Sequence, residues 1–351
     1  MESKLGNEGK IYINEIIRVT YKCNWKCKFC NVLKTNNFLD NDVTDKEVIY
    51  QILNLVKKYN YEERENIILS FSGGEPTLNK NLLNYIKLAK TIGIGVIEIQ
   101  TNGTTLFKNK NYILELINAG LNEIFLAQHS NDIHINSEIG SFYDIEVFKD
   151  WVNFIINNGI HKKISIYLNI VVTSINIFGI YDYITYLIEI GFINIIPRFT
   201  DIYGNTTSKI SFGFVQPNGY AELNKKEVLL KYDDFEIQEI TRIIELCKQN
   251  LILPDFHFVC PPICILNYPE YNLEYERLKN LENDSEHGNV NENNLDSYKI
   301  LWKEKKKLDL CKKCNNNKYC LGFYKNWLDF VGEDYVIQKI NKYIKNYDGI
   351  N

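Results

Sequence analysis

Three closely spaced cysteines near the start of this sequence are the residues best suited to metal chemistry. Cys23, Cys27 and Cys30 have the spacing C-x3-C-x2-C on one short segment. Three thiolates on one loop can hold three irons of a [4Fe–4S] cube, which normally has four cysteine ligands. An iron without a protein ligand can bind a small molecule and act on it, whereas a fully ligated metal is usually structural or transfers electrons. On spacing alone, a zinc knuckle or an accidental cysteine cluster is the alternative.

A glycine–glutamate motif, Ser72-Gly73-Gly74-Glu75-Pro76, follows an apolar run typical of a buried strand. The two glycines allow the backbone to approach a ligand closely and to offer it N–H and C=O groups. Glu75 can present an anion to a cationic amine. The alternative is an ordinary tight turn in which Thr77 caps the next helix.

A second cysteine group lies near the end of the chain. Cys311, Cys314 and Cys320 have the spacing C-x2-C-x5-C, and either Cys260 or Cys264 upstream would complete a four-thiolate site. We prefer Cys264 as the fourth ligand because it ends a Pro-Pro segment before an apolar turn. Iron and zinc both suit thiolates, so the spacing leaves the metal open.

The first cysteine group, with Phe29 before its last cysteine, resembles the radical S-adenosylmethionine (radical SAM) enzymes. The resemblance implies that the free iron of a [4Fe–4S] cluster binds the amino and carboxylate groups of S-adenosylmethionine. Cleavage of the sulfonium by an electron from the cluster would give a 5′-deoxyadenosyl radical, which removes a hydrogen atom from the substrate. In this family the Gly-Gly-Glu-Pro motif, here Gly73 to Pro76, binds the amino group of the cofactor.

The same resemblance assigns weaker cofactor contacts to polar residues at the ends of later strands. They are Thr101 and Asn102, which resemble a third-strand motif, and Gln128, Ser130 and Asn169, which are placed to reach the ribose. Many relatives have Ser-x-Asp on the fourth strand, where this chain has Ala127-Gln128-His129, and this departure puts the ribose contacts in question.

The C-terminal cysteines resemble the extensions of the SPASM and twitch subfamilies, which hold auxiliary [4Fe–4S] clusters. The full SPASM pattern has a further cysteine where this chain has Tyr324. The resemblance therefore implies one auxiliary cluster of the twitch type, with structural zinc as the alternative. Cys247, on an apolar helix face, is interpreted as a buried core thiol.

Strand-like and helix-like runs alternate through the first two thirds of the chain, which predicts a parallel sheet with right-handed crossovers. The predicted strands lie at 12–20, 67–71, 94–99, 123–127, 164–172 and 192–199. The predicted helices lie at 45–59, 80–92, 110–119, 145–158, 177–190 and 233–249. The candidate motifs follow the first four strands, where the C-terminal ends of parallel strands gather functional loops. We therefore expect an α/β fold, a partial (β/α)6 TIM-like barrel with a small C-terminal iron–sulfur extension.

Three regions are predicted along the chain. Residues 1–200 form the radical SAM barrel core, and residues 201–250 a loop and helix that complete it. Residues 251–351 form the auxiliary-cluster domain, with an exposed, Asn-rich linker near 272–294.

Composition excludes several other classes. The 351 residues are 45% hydrophobic and 24% charged, with a formal net charge of −4, so a disordered chain and a basic nucleic-acid-binding surface are excluded. The N-terminus is polar, and no apolar run reaches the ~18 residues of a membrane span. We therefore expect a cytoplasmic protein without a membrane or nucleic-acid partner.

The most direct functional hypothesis is a radical SAM enzyme that acts on a precursor peptide, a ribosomal peptide maturase. A flavodoxin or ferredoxin would supply electrons, and a separate protein could help to recognise the peptide. Alternatives are a radical SAM dehydrogenase of a small polar molecule and a non-catalytic iron–sulfur or zinc protein. The tail spacing differs from the C-x2-C-x13-C of the molybdopterin-precursor cyclase, which disfavours that activity.

Overall fold

The computed structural model describes residues 13–31, 42–200, 206–257, 261–268, 271 and 303–348. Cys260 and the predicted linker at 272–294 lie outside these residues. The strands are β1 Ile13–Thr20, β2 Ile67–Gly73, β3 Val96–Thr101, β4 Glu123–Ala127, β5 Ser165–Val172, β6 Arg198–Thr200, β7 Thr206–Phe214, β8 Ile252–His257, β9 Lys305–Lys306 and β10 Phe323–Tyr324. The helices are α1 Asp45–Lys58, α2 Tyr61–Arg64, α3 Leu82–Thr91, α4 Thr104–Lys108, α5 Tyr112–Ala119, α6 Ile133–Ile139, α7 Ile145–Asn157, α8 Ile180–Glu189, α9 Tyr220–Leu223, α10 Lys225–Val228, α11 Asp234–Gln249, α12 Lys325–Val331 and α13 Glu333–Asp348.

The core of the fold is a mostly parallel sheet covered by helices. Its parallel strands follow the order β1-β2-β3-β4-β5-β7-β8, and short β6 runs antiparallel beside β7. Within the described residues β1 and β8 each pair on one side only, so the sheet is open. This is the expected α/β architecture, a partial TIM-like barrel whose loops carry the candidate site. No helix of the described residues is long and apolar enough to cross a membrane.

Local sequence signals explain the position of the first helix. Thr44 caps α1 by accepting a hydrogen bond from the Glu47 N–H, and the Glu47 carboxylate accepts one from the Thr44 N–H. This capping box satisfies amides that a helix N-terminus leaves free. The buried face of α1 is Val48, Ile52 and Leu55, at helical spacing. The predicted start of this helix is confirmed.

The predicted sixth strand at 192–199 is wrong for most of its length. Phe192–Asn194 forms a 3-10 turn after Gly191, which adopts φ +75°, and the Phe192 ring packs on Phe148 at 5.6 Å between centroids. The apolar residues here fill the core instead of extending the sheet. The sixth parallel strand is β7, in a segment whose Gly, Ser, Thr and Asn content favoured a loop.

An additional strand, β8, was not predicted from the sequence. It contains Pro254, which is in register with Ile210 of β7. Proline cannot donate to a strand ladder, so it argues against a central strand but is tolerated at an edge. On the inner face of the sheet, Asp255 of β8 forms a 2.5 Å ion pair with Lys209.

The two faces of the sheet differ in chemistry. Along β5, Leu168 and Ile170 are fully buried in the apolar core, and Asn169 between them lies on the opposite, inner face. Ser70 and Glu98 also share the inner face, and the Ser70 hydroxyl donates to the Glu98 carboxylate at 2.5 Å. The helices therefore cover an apolar face, and the inner face is left polar.

Candidate functional site

The three cysteines of the first group lie together on the loop that follows β1. Cys23, Cys27 and Cys30 are all half-buried. Burial, together with the charges of Glu75 and Cys30, raises the pKa of the Cys23 thiol to about 11. Burial and the two neighbouring thiols also raise the pKa of Cys27. Thiols grouped in this way stay protonated unless a cation stabilises their thiolates, so the donor set fits a metal centre.

The thiols are grouped but not yet in ligand geometry. Across the described residues, no three His, Cys, Asp or Glu side chains are arranged to hold a metal ion. The Cys30 N–H donates to the Cys27 carbonyl at 3.1 Å, and the Trp25 N–H approaches the Cys23 sulfur at 3.4 Å. Both contacts keep the loop tightly turned.

Trp25 anchors the middle of this cysteine loop, a role that sequence reasoning missed. The side chain is only 3% exposed, and its Nε1–H donates to Thr104 Oγ1 and to the Phe142 carbonyl, both at 3.1 Å. Its ring meets the edge of His129 at 6.0 Å and stacks on Tyr143 at 6.1 Å. A tryptophan between two closely spaced cysteines could have signalled such an anchor, since a buried indole needs a partner for its N–H.

The glycine motif lies directly beneath the same loop. The Gly74 N–H donates to the Thr20 carbonyl and the Glu75 N–H to the Lys22 carbonyl, both at 2.7 Å. A Cβ on Gly73 would stand 2.1 Å from the Thr20 oxygen, and one on Gly74 would stand 2.2 Å from the Lys22 oxygen. Two glycines are therefore required for the two loops to touch.

Replacing Gly74 by alanine is expected to cost about 2–3 kcal/mol of folding free energy, because the new Cβ meets rigid backbone. Gly179→Ala is the matched control: its Cβ would meet only the end of the flexible Ile135 side chain, at 2.7 Å. We expect that control to cost less than about 1 kcal/mol. Chemical denaturation of both variants measures the difference, and equal losses would contradict the steric argument.

Glu75 is buried, and its carboxylate holds the two loops together. It accepts hydrogen bonds from the Thr101 hydroxyl at 2.6 Å, the Thr77 hydroxyl at 2.6 Å, the Thr77 N–H at 3.1 Å and the Asn102 N–H at 2.8 Å. Burial raises the pKa of this carboxyl, and these hydrogen bonds oppose the rise. Three of these donors bind Oε1 and one binds Oε2. In this structure Glu75 therefore binds the protein's own donors and fixes the loops around the ligand space.

The polar residues after β3 and β4 join this network. Asn102 donates to Asn24 Oδ1 at 2.7 Å and lies 4.0 Å from the Cys23 sulfur. Gln128 donates to the Asn102 carbonyl at 2.5 Å. Gln128 Oε1 and Asn169 Oδ1 are buried oxygens that accept no hydrogen bond from the protein. Because an unsatisfied buried acceptor is costly, these two oxygens indicate a missing donor such as a ligand hydroxyl.

Three other predicted site residues make contacts within the protein that support the local fold. Phe29 packs its ring against His129 at 5.1 Å, and Pro76 is the buried first residue of the turn after Glu75. The Ser130 hydroxyl accepts from the Asp132 N–H at 3.0 Å, so it helps to start α6.

The second cysteine group also comes together. Burial raises the pKa of the Cys264 thiol, and the charges of Cys320, Cys311 and Cys314 raise it further. Cys264 therefore lies within electrostatic range of all three tail cysteines, and Cys260 lies outside the described residues. Cys247 is fully buried in the core, as predicted.

Known proteins resemble parts of this chain. Residues 17–181 match the model of the Radical SAM superfamily. The chain is 34% identical over 112 residues to the 7,8-dihydro-6-hydroxymethylpterin dimethyltransferase of Methanocaldococcus jannaschii, covering 31% of this chain and 21% of that protein. It is 26% identical over 175 residues to a probable GTP 3′,8-cyclase of Sulfurisphaera tokodaii, covering 50% of this chain and 52% of that protein. The chain thus spans about half or less of the curated relatives.

Among solved structures, Streptococcus suis SuiB bound to S-adenosylmethionine has a TM-score of 0.50 and 19% identity, covering 74% of this chain and 53% of SuiB. That likeness concerns the fold. The matched superfamily segment contains the cysteine loop, the glycine motif and the ends of β3 to β5, which are the elements that build the site. On these grounds residues 17–181 of the chain form a radical SAM domain.

Proposed function

We propose that this chain is a radical SAM enzyme that reductively cleaves S-adenosylmethionine and abstracts hydrogen from a substrate. The observation that carries the proposal is the direct contact between a three-thiol loop and a two-glycine turn at one edge of the sheet. The cluster with S-adenosylmethionine would supply the 5′-deoxyadenosyl radical. Side chains and backbone groups of this chain would bind and orient the cluster, the cofactor and the substrate.

We assign each part of the site a role in binding. Cys23, Cys27 and Cys30 would ligate three irons and leave one free. The backbone around Gly73 and Gly74 would accept the cofactor's amino group, because the Glu75 carboxylate already has four protein donors. Phe29, Pro76, Thr101, Asn102 and Ser130 would shape the walls of the same space.

The two buried acceptors support a ribose contact. Gln128 Oε1 and Asn169 Oδ1 have no donor in the protein, and the two residues are linked by the Gln128 N–H to the Asn169 carbonyl at 3.2 Å. Ribose hydroxyls are donors of the type that these oxygens require. We therefore keep Gln128 and Asn169 as ribose contacts, although this chain lacks the Ser-x-Asp pattern.

We further propose one auxiliary [4Fe–4S] cluster, held by Cys264, Cys311, Cys314 and Cys320. The mutual influence of these thiols on the pKa of Cys264 supports a common site. Four thiolates would leave no open iron, which suits electron transfer or a structural role. Zinc remains the alternative metal, because the donor set accommodates either.

For the substrate we propose a precursor peptide, on the resemblance of the C-terminal cysteine pattern to peptide maturases. A flavodoxin or ferredoxin would deliver electrons, and a separate protein could present the peptide. The second candidate is a small polar molecule, which the names of the pterin methyltransferase and GTP cyclase relatives favour. Incubation with peptides encoded beside the gene, followed by mass spectrometry, separates the two, since a maturase changes the peptide mass or its fragment pattern.

Anaerobic reconstitution with iron and sulfide tests the proposed cofactors. We expect about eight iron atoms per chain, and 5′-deoxyadenosine on addition of dithionite and S-adenosylmethionine. A preparation without dithionite is the control and should form none. Absence of 5′-deoxyadenosine from chain with a full iron load would refute the enzyme proposal. A content of about four iron atoms and one zinc atom per chain would indicate a structural zinc site in place of the auxiliary cluster.

A further inference from the structure

Residues 216–230, which connect β7 to α11 and include α9 and α10, contact both cysteine-bearing parts of the chain. We call these residues the clasp. Along the sequence they lie far from the first cysteine group and far from the second. Its contacts with the first cysteine loop and with the C-terminal extension both involve backbone groups. They therefore constrain the path of the backbone in addition to the side chains.

On one side, the clasp holds the second half of the first cysteine loop. The Tyr220 N–H donates to the Cys30 carbonyl at 2.9 Å, and Asn224 Nδ2 donates to the Lys28 carbonyl at 3.1 Å. The Lys28 ammonium also forms a 2.6 Å ion pair with Glu227. This pair is solvent-exposed and worth little by itself, so the two backbone contacts carry the argument.

Close packing at Gly219 tightens the same junction. Gly219 has φ +61°, and a Cβ there would stand 2.7 Å from Asn31 Cα and 2.8 Å from the Cys30 carbonyl oxygen. The clasp backbone therefore lies directly against the last cysteine of the loop. Any larger residue at this position must push Cys30 away.

On its other side, the clasp binds the C-terminal extension. Asn326 Nδ2 donates to the Pro217 carbonyl at 3.0 Å, and the buried Trp327 Nε1–H donates to the Leu230 carbonyl at 2.8 Å. Trp327 in turn stacks on Phe323 at 5.8 Å, three residues after Cys320 in the sequence.

The first half of the cysteine loop is held differently. The Lys26 N–H donates to the Gly140 carbonyl at 2.8 Å and the Lys28 N–H to the Ile139 carbonyl at 2.9 Å, while Trp25 is fixed in the core. The barrel therefore positions Cys23 and Cys27. The contacts of Cys30 come from the clasp and from its own turn.

We propose that Gly219, Tyr220 and Asn224 are positioning residues for Cys30, and that the C-terminal extension fixes Cys30 through the clasp. The inference rests on the proposed role of Cys30 as an iron ligand. It adds that the geometry of the first cysteine group depends on contacts with the C-terminal extension. Losing a clasp contact should loosen the Cys30 turn and lower iron loading at the first site, even with every cysteine present.

Hydrogen exchange on the purified full chain tests the positioning directly, without metal or substrate. Gly219→Ala is expected to speed exchange of the Cys30 amide at least about tenfold, because the turn that protects it is displaced. Gly159→Ala is the matched control, since Gly159 has φ +60° and its Cβ would meet nothing nearer than Lys162 Cδ at 3.9 Å. Equal exchange at Cys30 in both variants would overturn the proposal.

A second pair of variants avoids steric damage. Asn224→Asp removes the donor to the Lys28 carbonyl, and Asn326→Asp removes the donor to Pro217. Asn250→Asp is their control, because Asn250 Nδ2 donates to the Leu246 carbonyl at 2.9 Å at the end of α11. We expect both clasp variants, and not the control, to speed exchange at Cys30 and to lower iron content after reconstitution. A change with Asn224→Asp but none with Asn326→Asp would overturn the link to the extension.

The two proposals fail in different ways. If the unaltered chain binds no iron, the proposed function is wrong, while exchange at Cys30 still tests the clasp. If iron binds and Cys30 exchange is indifferent to all clasp variants, the clasp inference alone is wrong.

Discussion

Replacing Cys27 by serine is expected to abolish formation of 5′-deoxyadenosine while leaving the barrel folded. Two thiolates cannot hold a cube that leaves one iron open, because such a cluster depends on three cysteine ligands from this loop. Burial and both other thiols of the group raise the pKa of Cys27, so its thiolate depends on a bound cation. Liquid chromatography of reaction mixtures measures the product, and we expect it to fall to the background of a reaction without enzyme.

Cys314→Ser is the matched variant at the second cysteine group. It should lower the iron content from about eight to about four atoms per chain, yet leave cleavage of S-adenosylmethionine measurable. Circular dichroism of both variants checks that the fold is retained. Equal loss of 5′-deoxyadenosine in the two variants would contradict the assignment of the open cluster to the first group.

Replacing Glu75 by alanine is expected to destabilise the fold by about 3–5 kcal/mol. The change removes the acceptor for two buried hydroxyls and two buried N–H groups, those of Thr77, Thr101 and Asn102. For a domain of this size the midpoint of thermal unfolding should fall by about 10 °C. Affinity for S-adenosylmethionine should fall as well, because the loops around its proposed site separate.

Glu63→Ala is the control for this prediction. Glu63 also accepts an N–H bond, from Asn60 at 2.8 Å, but it does so on the exposed surface where water replaces it. Its loss should cost less than about 1 kcal/mol. A Glu75→Ala variant as stable as Glu63→Ala would show that the buried carboxylate is not what joins the two loops.

The sequence predicted most elements of the sheet well because their signals are local. β4 has the predicted bounds, and α1 begins at its predicted first residue, Asp45. The errors fall where packing overrides local pattern. The run at 192–199 is apolar enough for a strand, but Phe192 is used in the core beside Phe148. Conversely, β7 alternates Ile210, Phe212 and Phe214 with serine and glycine, a period-2 signal hidden by its composition.

The candidate site shows the same division. The residue types and spacing of Cys23, Cys27 and Cys30 predicted a shared site, because residues this close in sequence cannot lie far apart. The role of Glu75 was harder to predict. An anion beside two glycines suggests an amine partner, yet the structure surrounds it with donors from its own turn and from the loop after β3. Those donors come from segments whose proximity depends on the order of the strands.

By itself, the sequence determined the chemistry available to this protein: two groups of thiols, one with three members and an open position, and a glycine turn for close backbone approach. Only the tertiary structure decided what holds that chemistry in place. The Cys30 carbonyl is bound by Tyr220, and the clasp is bound in turn by Asn326. Such partners are backbone groups and small side chains with no distinctive local pattern, and chain folding alone brings them together. The physical reason is that the chemistry of a thiol belongs to a single residue. The position of that thiol results from contacts between residues that lie far apart in the sequence.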